Sequence, residues 1–412
     1  MKLFTGLLLL QGASASLFSP LWSGNAQRPL EQQEDKAASS ADGDYAITTI
    51  YPSSFSKPPQ INSSFLSSLH EGLVSRPSVT GNESGVGEYL AHTLHLLDFT
   101  VEKQYLTPDR FNIYAYFGRK RPAVRTILSS HIDTVPPFLP YERHANGTIS
   151  GRGSVDAKAS VAAQICALMA LVNSDLVAWE DVGLLFVVGE ETNGDGMRAA
   201  NALNLKPETV IFGEPTEKKL ACGHKGILVF QVLAEGKAAH SGYPWLGVSA
   251  NELLVAALVR MQGVKLPETE KYGNTTLNLG RIDGGVAGNV VPEKAYAEVT
   301  IRLAGGEPQE VKNDIEKAVL GGFPSGSDGK LEVKWLGNEY APVDIDCKVD
   351  GFDTITVNYG TDIPNFDLAP SQKRYLYGPG SILVAHSDHE AILVDDLYDA
   401  VNGYIKLIKA SL

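Results

Sequence analysis

The chain has 412 residues, of which 43% are apolar, so it can bury a core large enough for more than one globular unit. Its 48 acidic and 35 basic side chains give a formal net charge of −13, which argues against a nucleic-acid partner and favours solubility. The three cysteines allow at most one disulfide, and they lack the CxxC spacing of metal or redox pairs.

The N-terminus has the pattern of an export signal. Lys2 precedes the apolar run Leu3–Leu10, and Ala13-Ser14-Ala15 has the A-x-A form of a cleavage site. A membrane-spanning helix needs roughly 20 apolar residues, so we expect a cleaved signal peptide over residues 1–15, a secreted rather than vacuolar protein, and no membrane partner. Residues 16–44 are rich in Ser, Ala, Gln and Glu, which predicts a flexible leader or propeptide.

Four Asn-x-Ser/Thr sequons would be glycosylation acceptors in an exported chain, namely Asn62, Asn82, Asn146 and Asn274. Sequons also occur by chance, so these four support export only weakly. The C-terminus ends in Ala-Ser-Leu, which is neither an endoplasmic-reticulum nor a peroxisomal address.

From Tyr45 onward, strand-length apolar runs alternate with longer helical stretches, which predicts a layered α/β sheet. The predicted strands are Val124–Leu128, Val182–Val188, Val210–Phe212 and Ile382–Ala385. The run VGLLFVV lacks polar alternation, as is typical of a strand covered on both faces. The stretch AKASVAAQICALMALV, between the first two strands, predicts a long buried helix.

Residues 225–336 have a different pattern of apolar and polar residues. The runs ILVFQVLAEGK and AYAEVTIRLAG alternate like half-exposed strands, and VSANELLVAALVRMQ predicts an amphipathic helix. We therefore predict a small α+β domain over residues 225–336, inserted into a main domain that comprises residues 45–224 and 337–412.

Side chains of metal-binding types follow all four predicted strands: His131 and Asp133, Glu190 and Glu191, Glu214, and His386 and His389. Asp156 directly precedes the long helix, where an aspartate is a natural N-cap. In open α/β sheets, sites form outside the carboxyl ends of the strands. Each feature alone has an ordinary explanation, such as a cap or a solvated acidic turn, but their common position predicts a metal site.

Two histidines and three carboxylates supply the nitrogen and oxygen ligands that suit zinc, manganese or cobalt. If one carboxylate bridges, five residues give each of two ions three protein ligands and leave room for a shared water, whose pKa the ions would lower. Hydrolysis also needs an unligated base. Because adjacent side chains on extended backbone point opposite ways, Glu190 and Glu191 can serve one as base and one as ligand.

The ordered motifs SSHIDTVP, GRGSVDAK, GEET, GEPT and AHSDHEAI resemble those of the M20 metallopeptidase family. This family includes glutamate carboxypeptidases, acetylornithine deacetylase, succinyl-diaminopimelate desuccinylase and aminoacylase. The resemblance implies a layered α/β/α catalytic domain in which the inserted domain is a lid that often dimerises. The signal peptide is more similar to secreted fungal-type carboxypeptidases than to cytosolic deacetylases.

The resemblance also implies roles for individual residues. The implied metal ligands are His131, Asp156, Glu191, Glu214 and His386. Asp156 would bridge both ions and precede a cis peptide bond to Ala157, and His386 rather than His389 would be the final ligand. Glu190 would be the general base, and Asp133 would orient His131, as carboxylates beside ligating imidazoles do.

In the lid, the resemblance implies that His240, Asn289 and Arg302 stabilise the tetrahedral oxyanion or hold the substrate carboxylate. The histidine commonly comes from the other subunit of a homodimer. Gly378 and Gly380 resemble a backbone loop that borders the substrate. The family usually has Asp-Met-Lys-Gly where this chain has Asp-Ala-Lys-Ala at residues 156–159, and these replacements fall at packing positions.

The predicted function is a secreted carboxypeptidase with two Zn²⁺ ions per chain, or Co²⁺ or Mn²⁺ in their place, that cleaves the C-terminal amide bond of peptides. An N-acyl-amino-acid deacylase would use the same chemistry, and the motifs do not separate the two because both substrates present an amide beside a free carboxylate. Export favours the peptidase, since peptides are available outside the cell. A catalytically inactive relative would lack Glu190 or a ligand, and all are present.

Overall fold

The computed structural model describes residues 35–36, 45–52, 59–62, 64–322, 329–337 and 339–412. The predicted signal peptide lies outside these residues, as does the predicted leader except for Asp35–Lys36. Those two residues form a short strand that pairs with Thr48 and Thr49 of the next strand. Among the described residues, no helix has the length and apolar character needed to cross a membrane.

The helices of the described residues are α1 (Phe65–Val74), α2 (Ser84–Leu96), α3 (Lys158–Asn173), α4 (Asp195–Ala200), α5 (Ala250–Gln262), α6 (Pro308–Leu320) and α7 (Val394–Ser411). The strands before the inserted domain are β1 (Asp35–Lys36), β2 (Ala46–Ile50), β3 (Thr100–Thr107), β4 (Arg110–Tyr116), β5 (Thr126–His131), β6 (Glu142–Arg143), β7 (Thr148–Ser150), β8 (Val182–Val187), β9 (Thr209–Gly213) and β10 (Leu220–His224).

The strands of the inserted domain are β11 (Gly226–Glu235), β12 (Ala239–His240), β13 (Glu268–Thr269), β14 (Gly273–Asn274), β15 (Thr276–Gly284), β16 (Val290–Val291), β17 (Lys294–Leu303) and β18 (Lys330–Trp335). The strands after it are β19 (Val343–Asp344), β20 (Thr354–Val357), β21 (Lys373–Tyr377) and β22 (Ala391–Leu393).

The main sheet has eight strands in the order β1-β2-β3-β4-β8-β5-β9-β21. Its β8-β5-β9-β21 half is parallel, whereas β1 to β4 and the β4-β8 pair are antiparallel. The strands predicted at 124–128, 182–188 and 210–212 are confirmed as β5, β8 and β9, with β5 shifted towards the C-terminus. The long helix predicted between β5 and β8 is confirmed as α3.

Both faces of the main sheet are covered. Leu184 and Phe186 of β8 pack in one core with residues of α1, α2, α3 and α7. Leu185 and Val187, which point the opposite way, pack in a second core with residues of α4 and of the small sheet β19-β10-β20. This burial on both sides explains the unbroken apolar run in the sequence and confirms the predicted layered α/β architecture.

The prediction of a strand over Ile382–Ala385 is wrong. This segment is a turn, and the last strand of the main sheet is instead β21, which pairs in parallel with β9. Leu383 is 82% exposed, so the segment has the apolar composition of a strand without a neighbouring strand or layer to cover it. A short apolar run alone does not determine the pairing partner that a strand requires.

The lid, defined here as residues 225–336, contains a four-stranded antiparallel sheet in the order β15-β17-β11-β18. Alternate residues of β11 and β17 are buried in a separate core with residues of α5 and α6. The other residues of these strands, including Ile227, Val229 and Arg302, lie on the opposite face, which the helices leave open. The alternation of apolar and polar residues in these strands reflects a sheet that helices cover on one face only.

A disulfide joins Cys222 in β10 to Cys347, 125 residues later. The loop that it closes contains the whole lid, so it ties together the two chain segments through which the lid leaves and rejoins the main domain. The third cysteine, Cys166, is buried in α3 and free.

Candidate metal centre

The ligand-type side chains meet at the carboxyl edge of the parallel half of the main sheet. His131 is the last residue of β5, Glu190 and Glu191 follow β8, and Glu214 follows β9. These three strands are adjacent and parallel, so their carboxyl ends open onto the same edge. Asp156 reaches this edge from the turn before α3, where Ala157 rather than Asp156 occupies the N-cap position of the helix.

The five predicted ligands form two groups that share Asp156, and we call them the candidate metal centre. In one group, Nε2 of His131 lies 3.1 Å from Oδ1 of Asp156 and 3.7 Å from Oε1 of Glu214. In the other, Nε2 of His386 lies 3.3 Å from Oδ2 of Asp156 and 2.9 Å from Oε2 of Glu191. The two oxygens of Asp156 therefore face different groups, as a bridging carboxylate requires.

His386 and His389 have different surroundings although they are three residues apart. The His386 side chain is 52% exposed and lies at the second group, whereas the His389 side chain is 72% exposed and contacts Asp388 instead. The peptide bond between Asp156 and Ala157 is cis, as the resemblance implied.

The electrostatics of the candidate metal centre fit bound cations. Burial, followed by repulsion from neighbouring carboxylates, raises the pKa of Glu190, Glu191 and Glu214 although His131 opposes this. Hydrogen bonds to Asp156 and Glu191 raise the pKa of His386 to about 10. The cavity thus concentrates more negative charge than its histidines balance. Oε1 of Glu191 is buried without a hydrogen-bond partner, and a divalent cation would satisfy it.

Asp133 organises this edge more broadly than its predicted role. Its backbone oxygen lies 3.0 Å from Nδ1 of His131, and its carboxylate lies 3.5 Å from the same nitrogen. The carboxylate also accepts hydrogen bonds from the backbone N–H groups of Glu190 and Glu191, at 3.1 and 3.2 Å, and from the hydroxyl of Thr80. One buried carboxylate therefore fixes the imidazole and both adjacent glutamates.

A cavity connects the candidate metal centre with the lid. Glu190 lines it but belongs to neither ligand group. Arg302 lines the same cavity together with Ile227 and Tyr340. Ile227 pairs with Arg302 in the sheet and with Tyr340 in an isolated bridge, so the three side chains lie on the same face.

His240 and Asn289 lie next to each other in the lid but do not line this cavity. His240 pairs with Val290 in the β12-β16 ladder, and the N–H of Ser241 donates to the backbone oxygen of Asn289. Both residues are exposed. The single chain therefore brings Arg302 to the candidate metal centre and leaves these two residues outside.

Gly378 and Gly380 do not line the cavity either. The oxygen of Gly378 accepts hydrogen bonds from the N–H groups of Thr216 and Lys218, and that of Gly380 accepts one from Glu217. A Cβ on Gly378 would lie 2.4 Å from the backbone oxygen of Glu214. Gly378 thus lets the chain after β21 pack closely against the segment that carries Glu214, whereas a Cβ on Gly380 would lie 2.8 Å from the side chain of Val155. The border that these glycines would form with the substrate stays a prediction.

Several residues at the site have no role predicted from the sequence. Tyr340 and Tyr359 line the cavity, and both follow the lid in the sequence. Asp362 is buried nearby, its Oδ2 has no hydrogen-bond partner, and burial raises its pKa to about 6. Glu390, in the motif AHSDHEAI, is also buried. The position of Glu390 four residues after His386, within the motif that carries this ligand, was the available signal, whereas the sequence around Tyr340, Tyr359 and Asp362 offered none.

Comparisons with known proteins agree with this arrangement. The model of the M20 peptidase dimerisation domain matches residues 222–325. A probable carboxypeptidase of Aspergillus flavus is 48% identical over 385 residues, which cover 85% of this chain and 89% of the relative.

Solved structures share the fold. A tripeptidase from Staphylococcus aureus matches 86% of this chain and 99% of its own, with a TM-score of 0.68 and 21% identity. An M20 family metallo-carboxypeptidase from Sulfolobus solfataricus matches 85% of this chain and 99% of its own, with a TM-score of 0.64 and 17% identity. With the extensive identity to the Aspergillus relative, these findings establish that the chain belongs to the M20 family of metallopeptidases.

Proposed function

We propose that this metallopeptidase is a secreted carboxypeptidase that binds two Zn²⁺ ions and removes the C-terminal residue of peptides. The observation that carries the proposal is the cavity shared by Arg302 and the candidate metal centre. A substrate whose carboxylate binds the guanidinium would present its last amide bond towards the paired ligand groups.

The two ligand groups suit a dinuclear centre. His131, Asp156 and Glu214 would hold one ion, and Asp156, Glu191 and His386 would hold the other. When bound, the ions supply Lewis acidity that polarises the scissile carbonyl and lowers the pKa of a water molecule. Zn²⁺ fits the mixed imidazole and carboxylate ligands, and Co²⁺ or Mn²⁺ would fit the same set.

Glu190 is suited to proton transfer. Its carboxylate lines the cavity outside both ligand groups, and its backbone N–H is held by Asp133. We assign it the role of accepting a proton from water and delivering that proton to the nitrogen of the departing amine. Burial raises the pKa of this carboxyl group, which brings it closer to the range in which one group can both accept and release a proton.

Arg302 and Tyr340 form the substrate-binding end of the cavity. A guanidinium presents a planar fork of donors that matches a carboxylate in bidentate fashion. Burial raises the pKa of Tyr340, so its hydroxyl stays protonated and can donate a further hydrogen bond. Ile227 and Val229 add apolar surface on which a substrate side chain can pack.

The dimerisation-domain match supports a homodimer formed through the lid. We propose that His240 and Asn289, which are exposed and outside the cavity of their own chain, complete the site of the partner subunit. There the imidazole would stabilise the oxyanion of the tetrahedral intermediate.

Secretion has structural support besides the N-terminal sequence. The Cys222–Cys347 disulfide is the kind of bond that persists in oxidising compartments. Asn62, Asn82, Asn146 and Asn274 are all exposed, so each sequon is accessible for glycosylation.

The test compares three substrates that share one residue: a peptide with a free C-terminal carboxylate, the same peptide amidated, and the corresponding N-acetyl amino acid. Product analysis should show release of the C-terminal residue from the free acid and near-complete loss of cleavage after amidation. Preference for the N-acetyl amino acid would identify a deacylase. Equal cleavage of the free and amidated peptides would contradict both activities, and Glu190→Gln protein provides the background rate.

A further inference from the structure

Glu390 is a buried carboxylate at the turn that carries Asp156. The side chains of Glu390 and Arg152 are only 1% and 2% exposed, and Oε2 of Glu390 lies 2.7 Å from Nη1 of Arg152. Oε1 accepts hydrogen bonds from the backbone N–H groups of Val155 and Asp156, at 3.0 and 3.2 Å. Both carboxylate oxygens are therefore engaged by the segment that presents the shared ligand.

The backbone of Glu390 binds the same turn. Its carbonyl oxygen accepts from the N–H of Gly151 and from the hydroxyl of Ser154. The chain then continues into β22, which pairs with β7 from Ala391 onward. His386 precedes Glu390 by only four residues, so the pair of turns bound through Glu390 carries two of the candidate ligands.

Arg152 anchors this arrangement on the other side. Its Nε donates to the backbone oxygen of Pro137, while Nη1 binds Glu390. A guanidinium fork can hold two such acceptors in fixed directions, which an ammonium group does not reproduce. Movement of either side chain would shift the backbone N–H groups of Val155 and Asp156, and with them the carboxylate that both ligand groups share.

We infer that Glu390, anchored by Arg152, is a positioning residue that fixes Asp156 and couples it to the His386 turn for two-ion binding. This inference rests on the proposed dinuclear centre, but it concerns residues that neither bind the ions nor touch the substrate. Outer partners of metal ligands typically contribute about 10- to 100-fold in metal affinity. A change at Glu390 should therefore lower the affinity for zinc even when the fold survives.

The experiment measures zinc affinity of the full-length apoprotein by competition with a chromophoric chelator, together with the absorption spectrum of the Co²⁺-loaded protein. Glu390→Gln should weaken zinc binding by about 10- to 100-fold and alter the Co²⁺ spectrum. Glu102→Gln is the matched control, because Glu102 is also buried and binds Arg121 and Tyr116 away from the centre. The control should lower thermal stability without changing either metal readout.

Arg152→Lys provides a second variant if Glu390→Gln does not fold, and it should weaken zinc binding by a smaller factor. Wild-type zinc affinity and Co²⁺ spectrum in the folded variants would overturn the inference and leave Glu390 as a purely structural ion pair. That result differs from failure of the proposed function, in which the wild-type protein itself would not bind two ions.

Discussion

The candidate metal centre and the lid hold their functional side chains in opposite environments. In the main domain, His131 is 1% exposed, and Asp133 fixes it together with both adjacent glutamates. In the lid, His240 and Asn289 are exposed and contribute nothing to the cavity of their own chain. Arg302 lies between these extremes, on the open face of a sheet whose other face is covered by helices.

The difference has a physical basis. Closely spaced carboxylates repel each other, so they persist in a buried site only when the surrounding hydrogen bonds fix them and a cation compensates their charge. Exposed side chains such as His240 and Asn289 are solvated and carry no such repulsion, so they do not need surrounding hydrogen bonds within their own chain to fix them. In the proposed homodimer, each chain would build the charged half of its site internally, and a second copy would supply His240 and Asn289 to the substrate-binding half.

The largest expected effect on activity comes from a change at Glu190, in the buried site of the main domain. Glu190→Gln keeps the size and the backbone contacts of the side chain but removes its ability to accept a proton. We expect kcat to fall by about 10²- to 10⁴-fold while the metal content stays unchanged. Steady-state kinetics with metal analysis of the same sample measures both, and near-normal turnover in the fully metallated variant would show that another group acts as the base.

A smaller effect is expected at Arg302, at the boundary between the two regions. Arg302→Lys keeps the charge but loses the bidentate fork, and a charge-assisted hydrogen bond contributes about 1.5–3 kcal/mol. We expect kcat/KM for free-acid peptides to fall by about 10- to 100-fold. Arg281→Lys, at an exposed arginine of the same lid sheet, is the control and should have no such effect. Undiminished selectivity for free acids in Arg302→Lys protein would assign carboxylate recognition to other groups.

Mixing of subunits tests the role of the exposed lid residue His240. Chains with His240→Ala and chains with Glu190→Gln should each have little activity alone. If His240 acts in the partner's site, a mixed dimer contains one site with both defects and one intact site. Equal amounts of the two chains, allowed to exchange, should then recover about a quarter of the wild-type activity, because half of the dimers are mixed. No recovery, in a sample where mixed dimers are detected, would mean that His240 does not act across the interface.

The sequence predicted most of the strands and ligands of the buried candidate metal centre, but it predicted less of the segments whose positions depend on tertiary contacts. Strands β5, β8 and β9 are buried on both faces, so their apolar runs and the polar residues that follow them could be recognised locally. The apolar composition of Ile382–Ala385 predicts a strand, but this segment is a turn because its backbone has no partner strand. The position of His386 therefore depends on tertiary contacts that no local pattern contains.

Residues that act through long-range contacts were also missed. Tyr340 reaches the cavity because its backbone pairs with Ile227, 113 positions earlier in the chain. Glu390 meets Arg152 across a sequence separation of 238 residues. Neither pairing leaves a periodic signal. For Asp133, the sequence suggested contact with His131, but its hydrogen bonds to the glutamates depend on the parallel register of β5 and β8.

The central claim is that one chain builds a dinuclear centre around Asp156, and anomalous X-ray diffraction from crystals of the zinc-loaded protein tests it most directly. Data collected above and below the zinc absorption edge should show two peaks about 3.5–4 Å apart. One should lie beside His131 and Glu214, the other beside Glu191 and His386, with Asp156 between them and His389 bound to neither. A single peak, or two peaks that do not share Asp156, would contradict the account.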